Sequence, residues 1–185
     1  MSGEARGPGG ASSNSADWFN HRESDRAGFF IQEFCRHVKG PLAGESLRLQ
    51  PWQHQIVSDL FGCKRPDGTR RYRSVWLEVP RKAGKSTFAA AIGLYMLMVD
   101  PEPGAEIVIA ASNAEHASVC FNIARDMVSA DPDLAAVCKV NRRGIFYKDA
   151  CMWCPRAIKR SMAGTFHASF STTSACRRPG TFMTH

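Results

Sequence analysis

Apolar positions fall in short blocks along this chain, and turn residues separate the blocks. From Asp17 to about Lys39, Trp18, Phe19, Phe29, Phe30, Ile31, Phe34 and Val38 give the apolar faces of a packing helix. Gly40 to Leu49 reads as a loop. Pro51 then opens a short helix, Trp52 to Phe61, which Gly62 stops; proline in the first turn and glycine at the end are the expected punctuation. Ser74 to Val79 has the β-branched and aromatic content of a strand. Ser86 to Val99 is an apolar helix through Phe88, Ala89, Ile92, Leu94, Tyr95, Met96 and Leu97. After a turn at Asp100-Pro101-Glu102-Pro103-Gly104, Glu106 to Ala111 reads as a buried strand. Ser112-Asn113-Ala114-Glu115 has capping-box spacing and starts a helix through about Ser129. Asp131-Pro132 caps another short helix, and Lys139 to Tyr147 reads as a strand or hairpin. Strand, helix, strand, helix is the order of an α/β domain with a parallel sheet.

The junction between the first strand and its helix carries chemistry. The standard phosphate-binding loop is G-x-x-x-x-G-K-[ST]. Here Gly84-Lys85-Ser86 supplies the working end, and Val79 stands where the first glycine belongs. Gly84 lets backbone approach a phosphate, Lys85 can pair with β- and γ-phosphates, and Ser86 can offer its hydroxyl to magnesium. The following helix points its positive end at the anion.

Composition narrows the partners. The chain has 185 residues, a net charge of +7 and a pI near 9.2, which fits one domain and a polyanionic partner, nucleic acid first. Lys64, Arg65, Arg70 and Arg71 lie in a polar connection. It reads as a solvated loop, with contact to DNA phosphates as the alternative use of its charge. No run reaches membrane-spanning length, and residues 1–16 have no apolar core of a signal peptide and the composition of a disordered tail. A loop that takes cytosolic ATP implies reduced thiols for the seven cysteines. Cys35, Cys63, Cys120 and Cys138 then read as small core residues. Cys151 and Cys154 form a C-x-x-C, followed by His167 and Cys176, without the paired spacing of a zinc site.

Taken together, Leu49-x-Pro51-Trp52-Gln53, the helix end Leu60-Phe61-Gly62, and Val79-Pro80-Arg81-Lys82-x-Gly84-Lys85-Ser86 resemble the ATPase domain of the large terminase subunit of tailed bacteriophages. Ile107-Val108-Ile109-Ala110-Ala111 followed by a helix fits as well, and the resemblance covers roughly residues 29–150. It implies an α/β P-loop NTPase of the ASCE class, incomplete here, with an N-terminal helical segment over residues 17–45 and the partial core over 46–150. It also implies ATP and Mg2+ as cofactors. Arg81 and Lys85 would be the catalytic cations, Arg81 at the γ-phosphate with Lys82 as the neighbouring alternative. Lys82, Ala83, Gly84, Lys85, Ser86 and Thr87 would cradle the nucleotide, and Ser86 would serve the metal. Gln53 would read adenine, with Gln50 as a substitute. In that family ATP hydrolysis drives double-stranded DNA into a procapsid. The implied partners are non-specific DNA, a portal, a small terminase subunit and further copies in a ring, in the bacterial cytoplasm and transiently at the portal. Two other classes compete: a small kinase-like P-loop enzyme, and a zinc-stabilised nucleic-acid-binding protein built on the C-terminal Cys and His residues.

The chain departs from that family at its end. A P-loop ATPase needs an acidic pair closing an apolar strand. No such pair follows Asp100, and after Asp149 there is no acidic residue at all. Residues 151–185 therefore read as a non-native tail produced by a frameshift. If codons start at the third base of each one given, Met152-Trp153-Cys154 forces Val-Val, because Met and Trp have one codon each. Met162 with Ala163 forces Gly. The shifted frame can then spell Tyr-Val-Val-Pro, and later His-Gly-x-Asn-φ-Pro-x-φ-φ-Phe-Asp-Asp-φ (φ being apolar), which resembles the family's approach to its acidic pair. On this reading the C-x-x-C is an artefact.

Overall fold

The computed structural model describes residues 18–100, 104–111 and 113–154. The chain begins with a two-residue strand, β1 (Trp18–Phe19). It turns at Asn20 into α1 (His21–Phe34), capped by the Asn20 side chain accepting from the Glu23 N–H. The single helix expected from Asp17 to Lys39 is thus shorter at both ends. Its first residues pair antiparallel with β2 (Cys63–Lys64), which directly follows α2 (Pro51–Gly62). Gly62 is needed for this: a β-carbon there would sit 2.5 Å from the Phe19 ring. Lys64, buried beside this ladder, is ion-paired to Glu23.

The third helix, α3 (Lys85–Met98), runs through the centre, and Phe88, Ala90, Ala91, Ile92, Gly93, Leu94, Tyr95, Met96 and Leu97 are all buried. A helix apolar all round must be covered on all sides. From α1 and α2, Phe30 and Phe61 set their rings against Tyr95 at 5.8 and 4.5 Å. The N-terminal helix therefore shares the core of the rest.

Beyond α3 comes β3 (Glu106–Val108), then α4 (Ala114–Ala130) and α5 (Pro132–Val137). The cap of α4 is Asn113, whose side chain accepts from the His116 N–H at 2.7 Å, one residue later than the capping-box spacing indicated. Asp131 caps α5 as expected, accepting from the Asp133 and Leu134 N–H groups at 3.1 Å each. An antiparallel meander follows: β4 (Lys139–Val140), β5 (Gly144–Tyr147) and β6 (Ala150–Trp153). The sheet order is β3-β6-β5-β4, and only the β3–β6 pair is parallel, so the sheet is mixed. On its α3 side, Met152 approaches Gly93 so closely that a β-carbon there would lie 2.8 Å from the methionine methyl.

One expectation needs correction. Residues 74–79, read as the strand before the loop, join neither sheet; a β-prone sequence forms a ladder only where a partner strand offers its edge. Of the expected tail from residue 151 on, Cys151, Met152 and Trp153 form the end of β6, pairing with β3 on one side and β5 on the other. The rest of that expected tail, including His167 and Cys176, lies outside the described residues, as does the tail expected over 1–16. Cys35 and Cys120 are buried as expected, and Cys63 and Cys138 are half-buried. Burial pushes the Cys35 and Cys120 thiols up to about 12, with the nearby Asp131 and Cys154 adding to the respective effects. No helix among the described residues is long and apolar enough to cross a membrane.

Candidate nucleotide site

The loop before α3 is built by two left-handed residues. Gly84, the N-cap of α3, has φ 77°, and Lys82 has φ 68°. Glycine adopts that region freely; a lysine there is strained by about 1 kcal/mol. Such strain gathers where backbone geometry serves a site. The two bends lead the chain from Pro80 into the first turn of α3. Within the bend the Ala83 N–H reaches the Pro80 carbonyl at 3.4 Å, and the Phe88 N–H bonds to the Gly84 carbonyl at 2.9 Å.

A cleft of about 390 Å³ opens on this loop, lined by Arg81, Lys82, Gly84, Lys85, Ser86 and Thr87. Six of the eight residues expected to hold nucleotide thus surround one space, and Ala83 belongs to the same loop. Lys85 is fixed in it: its ammonium donates to the carbonyls of Val79 at 2.6 Å and Pro80 at 3.0 Å. An ammonium has three protons, so one remains for an anion. Arg81 and Lys82 are exposed and make no ion pair among the described residues. The α3 N-terminus adds its unsatisfied N–H groups and the positive end of its dipole. From behind, Cys120 of α4 donates its S–H to the Ser86 carbonyl at 3.5 Å, and Trp52 of α2 packs edge-on against Phe88 at 5.7 Å. The first turn of α3 is therefore held by both neighbouring helices.

Gln53 lies apart from this lining. It is 6% exposed, and its side-chain oxygen accepts from the Gln50 N–H at 2.9 Å, closing the N-terminus of α2. Gln50 itself is exposed. The capping use of Gln53 follows from its place three residues after Gln50 ahead of an apolar run, a spacing that sequence reasoning passed over.

The site has cations without carboxylates. Among the described residues no group of three or more His, Cys, Asp or Glu side chains is placed to hold a metal. Cys151 lies in β6 and Cys154 just past its end, and they belong to no such cluster among the described residues.

Residues 51–149, more than half of the chain, match the family model for the ATPase domain of the terminase large subunit. The chain belongs to that family. Its match ends at the residue after which acidic side chains cease. Among curated relatives, the large terminase subunit of Enterobacteria phage HK97 is 32% identical over 117 residues, which is 62% of this chain and 22% of that protein. The crystal structure of the HK97 bacteriophage large terminase superposes with a TM-score of 0.61 at 26% identity, covering 76% of this chain and 29% of that one. The chain thus spans less than a third of the length of either relative. The resemblance read from Pro51-Trp52-Gln53 and the Gly84-Lys85-Ser86 loop is upheld.

Proposed function

We propose that this chain is the nucleotide-binding front part of a DNA-packaging motor and holds ATP with Mg2+ in the cleft at the N-terminus of α3. The observation that carries this reading is the convergence of Arg81, Lys82, Lys85 and a helix N-terminus on one 390 Å³ space, in a chain of terminase ATPase ancestry. Bound there, Mg–ATP would supply a transferable γ-phosphoryl group. The chain's own residues supply position and charge. Lys85, held by the Val79 and Pro80 carbonyls, would pair with the β- and γ-phosphates, and Gly84 would keep the approach free of a side chain. Ser86 offers a hydroxyl to the metal, and Arg81, with Lys82 beside it, stabilises negative charge at the γ-phosphate. The adenine-reading role of Gln53 requires its amide to keep its cap while using its remaining donors. In the complete protein this domain would work in a homo-oligomeric ring with a portal and a small subunit, moving double-stranded DNA without regard to sequence. Its place would be the host cytoplasm and, transiently, the procapsid portal.

The decisive experiment is calorimetry of Mg–ATP binding to the chain and to Lys85→Ala. Removing a charged donor from a phosphate site should weaken binding by about 100-fold. Equal affinity in the two proteins would exclude the loop as the nucleotide site.

The missing carboxylates belong to the same reading. We propose that residues after about 150 are read out of frame. The support is the abrupt end of acidic residues at Asp149, the end of the family match at the same residue, and the forced Gly and Val-Val of the shifted frame. Strand β6 does not oppose this. The shifted Tyr-Val-Val is strand-forming too, and ladder hydrogen bonds use backbone groups that either frame provides. On this account the chain binds ATP but hydrolyses it poorly. Sequencing the nucleotides from codon 148 onward checks it: a shifted frame that meets a stop codon within a few residues would remove the frameshift explanation.

A further inference from the structure

Outside the nucleotide site, the β4–β5–β6 meander is strongly charged. Lys139, Arg142, Arg143 and Lys148 are all exposed, and the one acidic residue between positions 139 and 153 is Asp149. Four cations elsewhere are held in ion pairs: Arg36 with Asp131 at 3.6 Å, Arg70 with Asp100 at 3.0 Å, Arg125 with Asp126 at 3.0 Å, and Lys64 with Glu23. Among the described residues none of the four meander cations makes an ion pair.

Their placement is set by register. Ile145 and Met152 pair across the ladder, and both are fully buried on the α3 side. Phe146 follows Ile145 and so points to the opposite face, and its partner Lys139 shares that face. Arg142 and Arg143 lie in the turn at one end of β5, and Lys148 begins the turn at the other. Five residue steps separate Arg143 from Lys148, about 17 Å of extended chain. Lys148 has a further peculiarity. Its φ is 50°, at the first central position of the two-residue turn between Tyr147 and Ala150, where glycine is the unstrained choice. Its ammonium is held over the Tyr147 ring at 5.1 Å.

We propose that this meander is a contact surface for the phosphate backbone of a DNA duplex, with Arg142 and Arg143, in the turn at one end of β5, engaging one end of a run of phosphates and Lys148, in the turn at the other end, engaging the other. A strand of B-form DNA carries one charge per about 3.4 Å of axis, so the 17 Å between the two ends spans about five phosphates. Guanidinium groups suit phosphate because their forked donors bind it bidentately. The inference rests on the packaging reading for its choice of polyanion, and it assigns the contact to a surface distinct from the nucleotide loop.

The test is fluorescence anisotropy of a labelled random-sequence duplex, titrated with the 185-residue chain over a series of salt concentrations. Removing two phosphate contacts with Arg142→Gln/Arg143→Gln should lower affinity at least about tenfold at low salt. It should also flatten the slope of log affinity against log salt by about 1.8, given roughly 0.9 per phosphate. Adding Lys148→Gln should flatten it further. Arg142→Lys/Arg143→Lys should restore most of the affinity. Lys39→Gln/Arg48→Gln removes the same charge from exposed positions elsewhere and should change little. Unaltered Mg–ATP affinity in each variant verifies the fold. If the unmutated chain binds duplex and the Arg142/Arg143 variant binds equally well, or the Lys39/Arg48 control loses as much, the surface assignment is overturned while the packaging reading stands. If the unmutated chain binds ATP but no duplex at low salt, the DNA-motor reading falls and this surface with it. Tighter binding to single strands that Phe146→Ala abolishes would also overturn the duplex assignment.

Discussion

The two ends of one helix obey opposite rules. From Phe88 to Leu97, α3 is almost wholly buried and makes no use of charge. From Val79 to Thr87, the chain that leads into it is half-exposed, strained at Lys82, and held by hydrogen bonds of Lys85 to its own carbonyls. The body is stabilised by area removed from water, the loop by a few directional bonds. The lesson is a division of labour. The apolar body fixes where the helix N-terminus sits, and the polar loop need not carry the fold.

The comparison can be broken first at the body. Leu94 is 0% exposed, and Leu94→Ala should destabilise the chain by about 3 kcal/mol, the range for a buried leucine whose cavity stays open. Urea unfolding followed by far-ultraviolet circular dichroism reads this. A loss under about 1 kcal/mol would mean that α3 is not the centre of the core. A smaller effect is expected in the loop. Lys82→Gly relieves a left-handed lysine and should stabilise the fold by up to about 1 kcal/mol, offset in part by the greater freedom of glycine in the unfolded chain. The same variant should weaken Mg–ATP binding only a few-fold, because Arg81 and Lys85 remain. Marked destabilisation by Lys82→Gly would show that the lysine side chain holds the loop, and the strain argument would fail.

The elements most legible in the sequence are those that rest on local signals. Pro51 and Gly62 bounded α2, Asp131 announced α5, and the apolar run after Ser86 announced α3. The cleft-lining loop before α3 was legible because Gly84-Lys85-Ser86 is a contiguous motif whose physics needs no distant residue. Features that depend on distant partners were not legible. Trp18 and Phe19 form a strand only because Lys64 and Cys63 lie opposite, more than forty residues away. Ser74 to Val79 has strand composition, yet it joins neither sheet. Gln53 was read for its amide chemistry alone, and its place in the α2 cap emerged from the fold. The left-handed Lys82 had no signal in residue type, because lysine is an uncommon occupant of that region.

The central claim is that the loop from Val79 to Thr87, and not the helix body, receives ATP. Hydrogen–deuterium exchange of the chain with and without saturating Mg–ATP tests it residue by residue. The account predicts new protection at the amides of Gly84 to Thr87 and little change from Ala90 to Leu97, whose amides are already bonded inside a buried helix. Unchanged exchange in the loop at saturating Mg–ATP, or protection confined to another part of the chain, would contradict it.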